Sequence, residues 1–122
     1  MTDNATLGRT YLQLLEGRDW DAWTALLDED VVYDMPQTRE LITGRERFLE
    51  FNQTYPGEWH LTAKTVIADD ERVVVWFDWR MGEESGESQT FLEVSDGRIT
   101  RVTDFWPEAY EPPERAVPVE RY

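Results

Sequence analysis

The chain has 122 residues, 40% of them hydrophobic and 13% aromatic, which suits one packed domain and argues against global disorder. Its formal charge of −14, from 12 basic and 26 acidic residues, excludes the clustered Lys and Arg needed for nucleic acid or anionic membrane surfaces. No cysteine and a single histidine leave no disulfide, no thiolate zinc site and no clustered metal ligands, so no cofactor is expected. Residues 4–16 read as a first helix, with Leu7, Tyr11, Leu14 and Leu15 at helical spacing and Gly17 as its stop. Asp19 caps a second, short helix with Trp20, Trp23, Leu26 and Leu27 along one side. VVYDM, 31–35, reads as a strand. Thr43 and Glu46 in TGRE form a capping box that opens a third helix carrying Phe48, Leu49 and Phe51, broken by Pro56-Gly57.

Beyond residue 58 the pattern becomes strand-like. EWHLTAKTVIA and RVVVWFDWRM flank the turn at 69–71, and ESQTFLEVS and RITRVTDFW flank Asp96-Gly97, a strong hairpin signal. GEESGE, 82–87, reads as a solvated hairpin tip. Four of the six prolines fall in the last sixteen residues. The expected organisation is one α+β domain over 1–106, three N-terminal helices on a curved, mostly antiparallel sheet, with an extended proline-rich tail over 107–122. No apolar run approaches the roughly 18 residues of a spanning helix and no signal-peptide pattern is visible, so a cytoplasmic protein is expected.

Asp104 is the residue that needs explaining, because a carboxylate in an aromatic strand is costly unless something uses it. Counting outward from Asp96-Gly97 pairs Val94 with Ile99 and puts Gln89 opposite Asp104. Phe91, Val102 and Trp106 then share the Asp104 face, and Leu92, Val94, Ile99 and Phe105 the other. Both faces are apolar. One should hold the helices and the other a second copy of the chain, a homodimer. A second acid, Asp78, alternates with Val74, Trp76 and Arg80, with Ala63 and Thr65 opposite Asp78 and Trp76. A cavity shared by both acids would give them a common purpose. His60 lies opposite to Asp78 in this register and reads as a surface or interface residue, with a role as base the alternative.

The element order, DVVYDMPQTRELITGRERF and the ending DGRITRVTDFW resemble the SnoaL-like branch of the nuclear transport factor 2-like superfamily over roughly residues 5–108. The resemblance implies a cone-shaped α+β barrel with an apolar pocket between sheet and helices, often dimeric. Its members include polyketide cyclases, ketosteroid isomerase, limonene epoxide hydrolase and proteins without catalysis. Against limonene epoxide hydrolase, the last-strand acid matches Asp104, the second acid Asp78 and the water-holding tyrosine Tyr33, but the arginine joining the acids matches Trp76. Against ketosteroid isomerase, the oxyanion tyrosine matches Tyr11, while the base falls on Met35 and the protonated acid near Thr90. In SnoaL-type cyclases a late-strand aspartate is the acid/base, for which Asp104 or Asp78 qualifies.

Together these readings give Asp104, Asp78 and Tyr33 as candidate catalytic residues. Tyr11, Trp76, Met35, Phe51, Gln89, Phe91 and Trp106 are the candidate substrate contacts. The expected function is a cofactor-free acid/base enzyme for cyclisation, isomerisation or water addition on a small hydrophobic, polyketide-like molecule. The alternative is a non-catalytic ligand-binding module of the same fold.

Overall fold

Helix α1 (Asn4–Glu16) begins where the Asp3 side chain accepts a hydrogen bond from the Thr6 amide at 2.7 Å. The computed structural model describes residues 3–122, so the first two residues of the expected 1–106 domain lie outside it. Leu7, Gly8, Tyr11, Leu12 and Leu15 form the buried stripe of α1. Gly17 ends the helix in an ordinary right-handed conformation, and Arg18, at φ 57°, makes the left-handed turn instead. Helix α2 (Trp20–Thr24) is a single turn that aims Trp23 inward, where it meets Tyr11 at 5.7 Å and Phe48 at 5.1 Å between ring centroids. Leu27 belongs not to α2 but to the next strand.

Strand β1 (Leu27–Met35) turns back into a short strand that the sequence pattern did not reveal, β2 (Glu40–Thr43). Helix α3 (Arg45–Gln53) follows with Gly44 as its cap, at φ 104° and with no capping side chain. The expected capping box does not form, because Thr43 is paired with Val32 in the sheet. The rest of the chain is β3 (Trp59–Ala68), β4 (Arg72–Met81), β5 (Glu84–Ser95) and β6 (Arg98–Phe105). Residues 84–87 of the expected tip are strand, with Met81 paired to Glu84 and Asp78 to Glu87. Residues 107–122 carry no helix or strand.

The architecture is α+β, with one curved, unclosed six-stranded sheet in the order β2-β1-β6-β5-β4-β3. All neighbours are antiparallel except β1 and β6, which run parallel, with Tyr33 beside Val102 and Asp34 beside Thr103. That parallel pairing brings the N-terminal third of the chain against its last strand. The helices cover the concave face, α1 over β3 and β4 and α3 over β1. The approach of α1 is close enough that a Cβ on Gly8 would stand 2.5 Å from a Val73 methyl, so this helix face has no room for a larger residue.

One irregularity sets the faces of β6. Val94 pairs with Ile99 as expected, but Glu93 pairs with Arg101, so Thr100 is an extra residue in β6. Such a bulge reverses the alternation beyond it. Ile99, Val102 and Asp104 all point inward as a result. Asp104 therefore faces Thr90, not Gln89, and Gln89 pairs with Phe105.

Candidate active site

Between the helices and the concave face lies a cavity of about 320 Å³. Tyr11, Leu12 and Leu15 of α1 and Phe48, Phe51 and Asn52 of α3 form one wall. Tyr33, Met35, Leu61, Phe77, Trp79, Thr90, Asp104 and Trp106 form the other. The exposed lining residues Thr38, Tyr55 and Glu108 mark its opening. The lining is overwhelmingly apolar, and two of its hydroxyls, those of Tyr33 and Thr90, converge on Asp104.

Asp104 is 9% exposed. Its Oδ2 accepts a hydrogen bond from the Tyr33 hydroxyl at 2.7 Å and its Oδ1 one from the Thr90 hydroxyl at 2.6 Å. Burial raises its pKa above the ordinary carboxylate value, and the bonds from Thr90 and Tyr33 and the nearby Trp106 indole only partly offset that. No cation among the described residues pairs with it. Arg101, the nearest basic residue in sequence, is bound to Asp34 at 2.8 Å and lies 3.8 Å from Glu93.

The donors are themselves held in place. The Tyr33 ring stacks on Phe48 at 4.7 Å and tilts against Phe51 at 5.3 Å, which directs its hydroxyl at Asp104. Burial, then the charge and hydrogen bond of Asp104, push the Tyr33 pKa far above its ordinary value. Tyr11 is raised as well, by burial and then by Asp104. Both tyrosines therefore remain protonated donors, and neither can serve as a base near neutral pH.

Besides Asp104, five of the candidate site residues line the cavity: the catalytic candidate Tyr33 and the substrate contacts Tyr11, Met35, Phe51 and Trp106. Four do not. Asp78 is on the convex face, 3.9 Å from Lys64 and paired in register with Thr62 rather than Ala63. Trp76 is 38% exposed on that same face, with the Lys64 ammonium 4.7 Å from its ring centroid. Phe91 is 42% exposed and packs edge-on against Phe105 at 5.6 Å, and Gln89 lies beside Phe105. The alternation within β4 is as the sequence suggests, but its inward set is Val73, Val75, Phe77 and Trp79. In β5 the bulge at Thr100 is the cause, since it exchanges which residues face Asp104.

His60 lies outside the cavity, paired in register with Arg80 and with its Nδ1 3.0 Å from Glu16 Oε2. Glu16 Oε1 also accepts the Leu61 amide at 2.8 Å, so this pair ties the end of α1 to β3. A more open recess holds His60, Asp78 and Arg80 together. No group of three or more His, Cys, Asp or Glu placed to hold a metal occurs among the described residues, and none of the described helices is long and apolar enough to cross a membrane.

Sequence reasoning missed Thr90, Phe77 and Trp79. A signal for Thr90 existed. The aliphatic residues Ile99 and Val102 stand three apart, a spacing that a regular two-residue alternation cannot bury on one face.

The SnoaL-like domain model matches residues 9–102. The uncharacterised protein YesE of Bacillus subtilis (strain 168) is 30% identical, over 80% of this chain and 77% of its own. Among solved structures, a candidate ketosteroid isomerase from Kribbella flavida DSM 17836 is 49% identical with a TM-score of 0.86, covering 93% of this chain and 89% of that one. A candidate polyketide cyclase from Xanthomonas campestris pv. campestris is 27% identical with a TM-score of 0.70, covering 84% and 90%. The chain belongs to the SnoaL-like domain family, within the nuclear transport factor 2-like superfamily.

Proposed function

We propose that this protein is a cofactor-free acid/base enzyme that moves a proton on a small hydrophobic, polyketide-like molecule held in the concave cavity. The observation that carries this reading is a single carboxylate, Asp104, with a raised pKa and no paired cation, at the polar centre of an apolar cavity. Such a group exchanges protons at lower cost than an exposed aspartate would, because its two protonation states lie closer in energy near neutral pH. Each oxygen accepts one hydrogen bond and keeps a lone pair that can take a substrate proton. Tyr33 and Thr90 then hold the carboxylate in orientation, and Tyr11, Met35, Phe51 and Trp106 shape the volume around the substrate.

Cyclisation or isomerisation fits this site better than water addition. The second acid of the hydrolase pattern, Asp78, is on the far side of the sheet, and Trp76 replaces its arginine. The names of the Kribbella and Xanthomonas structures point the same way.

The competing reading is a binding module without turnover, favoured by the same two hydroxyls that satisfy Asp104. Exchange of the α-protons of 1-tetralone in deuterated buffer separates the two. The enzyme reading expects exchange above the buffer rate that Asp104→Asn abolishes. Binding without exchange, for this and related apolar ketones, would leave the module reading.

The homodimer belongs to this proposal too. Trp76, Phe91 and Ile67 are exposed on the sheet, at 38%, 42% and 65%, and the Phe91–Phe105 pair adds a continuous apolar surface. Sedimentation at micromolar concentration should give about twice the 14.4 kDa chain mass. A monomer would mean that this face is solvated.

A further inference from the structure

The charges around the concave cavity are all of one sign. Nine of its nineteen lining residues are aromatic, and none is Lys, Arg or His. Two are carboxylates: Asp104, buried, and Glu108, exposed at the mouth. Acids elsewhere in the fold already have basic neighbours. In the recess outside the cavity, His60 lies 3.0 Å from Glu16, and Lys64 reaches to within 3.9 Å of Asp78. Asp34 holds Arg101. Asp104 is the buried acid that the described residues leave without a cation.

The rings around it matter as much as the charge. An aromatic face is negative and attracts a cation lying within about 6 Å of the ring centroid. This chain uses that attraction twice already. Lys64 stands 4.7 Å from the centroid of Trp76 on the outer face, and Arg18 stands 3.4 Å from that of Trp59. Trp59 lines the cavity, but the other eight cavity rings carry no cation among the described residues. Several of them brace one another. Tyr33 stacks on Phe48 at 4.7 Å, and Phe77 and Trp79 pack edge-on against Trp106 at 5.7 Å and 6.0 Å. Rings held in this way need little ordering when a ligand enters.

We infer that the cavity is a receptor for an organic cation, an alkylated ammonium group seated among the aromatic rings with Asp104 as its counter-ion. Cation binding goes beyond the proton-transfer reading and needs no turnover. Burial disfavours the Asp104 charge, and a bound cation supplies the partner that the chain does not. The Tyr33 and Thr90 hydroxyls both donate to this carboxylate, so they support its ionised form while the cation approaches. A primary ammonium would bring three N–H donors that an apolar lining cannot satisfy. An alkylated ammonium presents methyl groups instead and suits such a lining. The net charge of −14 draws cations toward the mouth and repels anions.

The test uses choline, 3,3-dimethyl-1-butanol and 3,3-dimethylbutanoate, three molecules of similar branched shape that are positive, neutral and negative at neutral pH. Each is titrated into the full chain and followed by NMR. Choline should bind about tenfold more tightly than the alcohol, with its N-methyl signal moved upfield by the rings, and the carboxylate should bind most weakly. Asp104→Asn keeps the shape of the cavity and should remove most of choline's advantage while leaving the alcohol unchanged. Phe51→Leu keeps an apolar side chain without the ring and should weaken choline more than the alcohol. Equal affinity for choline and the alcohol, no binding of choline, or an equal loss of both in Asp104→Asn would overturn the inference. Should Asp104→Asn not fold, the wild-type order and Phe51→Leu decide. Exchange of α-protons on the neutral ketone is measured separately, so failure of cation binding and failure of proton transfer are told apart.

Discussion

Asp104 on β6 and Asp78 on β4 stand on opposite faces of one sheet, with β5 between them, and their chemistry diverges accordingly. Asp104 is buried, bonded only by hydroxyls, and pushed toward its protonated form. Asp78 has a side chain 53% exposed and a lysine within 3.9 Å, a surface ion pair of the kind worth little. The same residue type is thus a candidate acid on one face and a solvated charge on the other. What separates them is desolvation and the identity of the partner, not the local sequence, since each stands in a strand among β-branched and aromatic neighbours.

The contrast is broken most directly by removing each charge in turn. Asp104→Asn should lower the rate of α-proton exchange by about 10²–10⁴-fold, measured against buffer, while Asp78→Asn should leave it unchanged. Equal losses would mean that the faces are not chemically distinct. The packing of the two faces differs as well. Gly8→Ala, which drives a methyl into Val73 beneath α1, should destabilise the protein by about 1–3 kcal/mol in denaturant melts. Phe91→Ser on the convex face should stay within about 0.5 kcal/mol in the monomer and act through assembly instead. Tyr33→Phe removes one of the hydrogen bonds that hold the Asp104 pKa down. It should raise that pKa further and slow exchange about tenfold without unfolding the chain.

Linkage gives the pH dependence a sign. The folded pKa of Asp104 is raised above its ordinary value of 3.8. Its contribution to stability is therefore fully present below that value and is lost as pH rises through the folded pKa. Relative to Asp104→Asn, the wild type should gain melting temperature as pH falls through this window. The smallest expected effect lies outside the cavity. His60→Ala should cost about 0.5–1 kcal/mol, because one half-exposed contact to Glu16 is lost while the Leu61 amide keeps its bond.

Much of the fold could be read from the sequence because its signals are local. The stripe of α1, the Asp96-Gly97 turn and the alternation of β4 each occupy a few neighbouring residues. What escaped depends on residues far apart. The parallel β1–β6 pairing joins Tyr33 to Val102, and no turn residue announces it. The bulge at Thr100 reversed the alternation of β6 beyond it, turning Val102 and Asp104 to the inner face of Thr90 and Leu92 and leaving Gln89 and Phe91 on the outer face. For Asp78 and Trp76 the alternation itself was legible. Only the placement of α1 determines which set faces inward, and Gly8 against Val73 records that choice.

Asp104 is a buried acid whose charge is disfavoured. The carboxyl carbon of Asp104, observed by NMR from about pH 3 to about pH 9, tests this directly. A titration midpoint above 3.8 is expected, moving higher still in Tyr33→Phe. A midpoint at or below 3.8 would contradict it and make Asp104 a hydrogen-bonded structural anion joining β6 to β1 and β5.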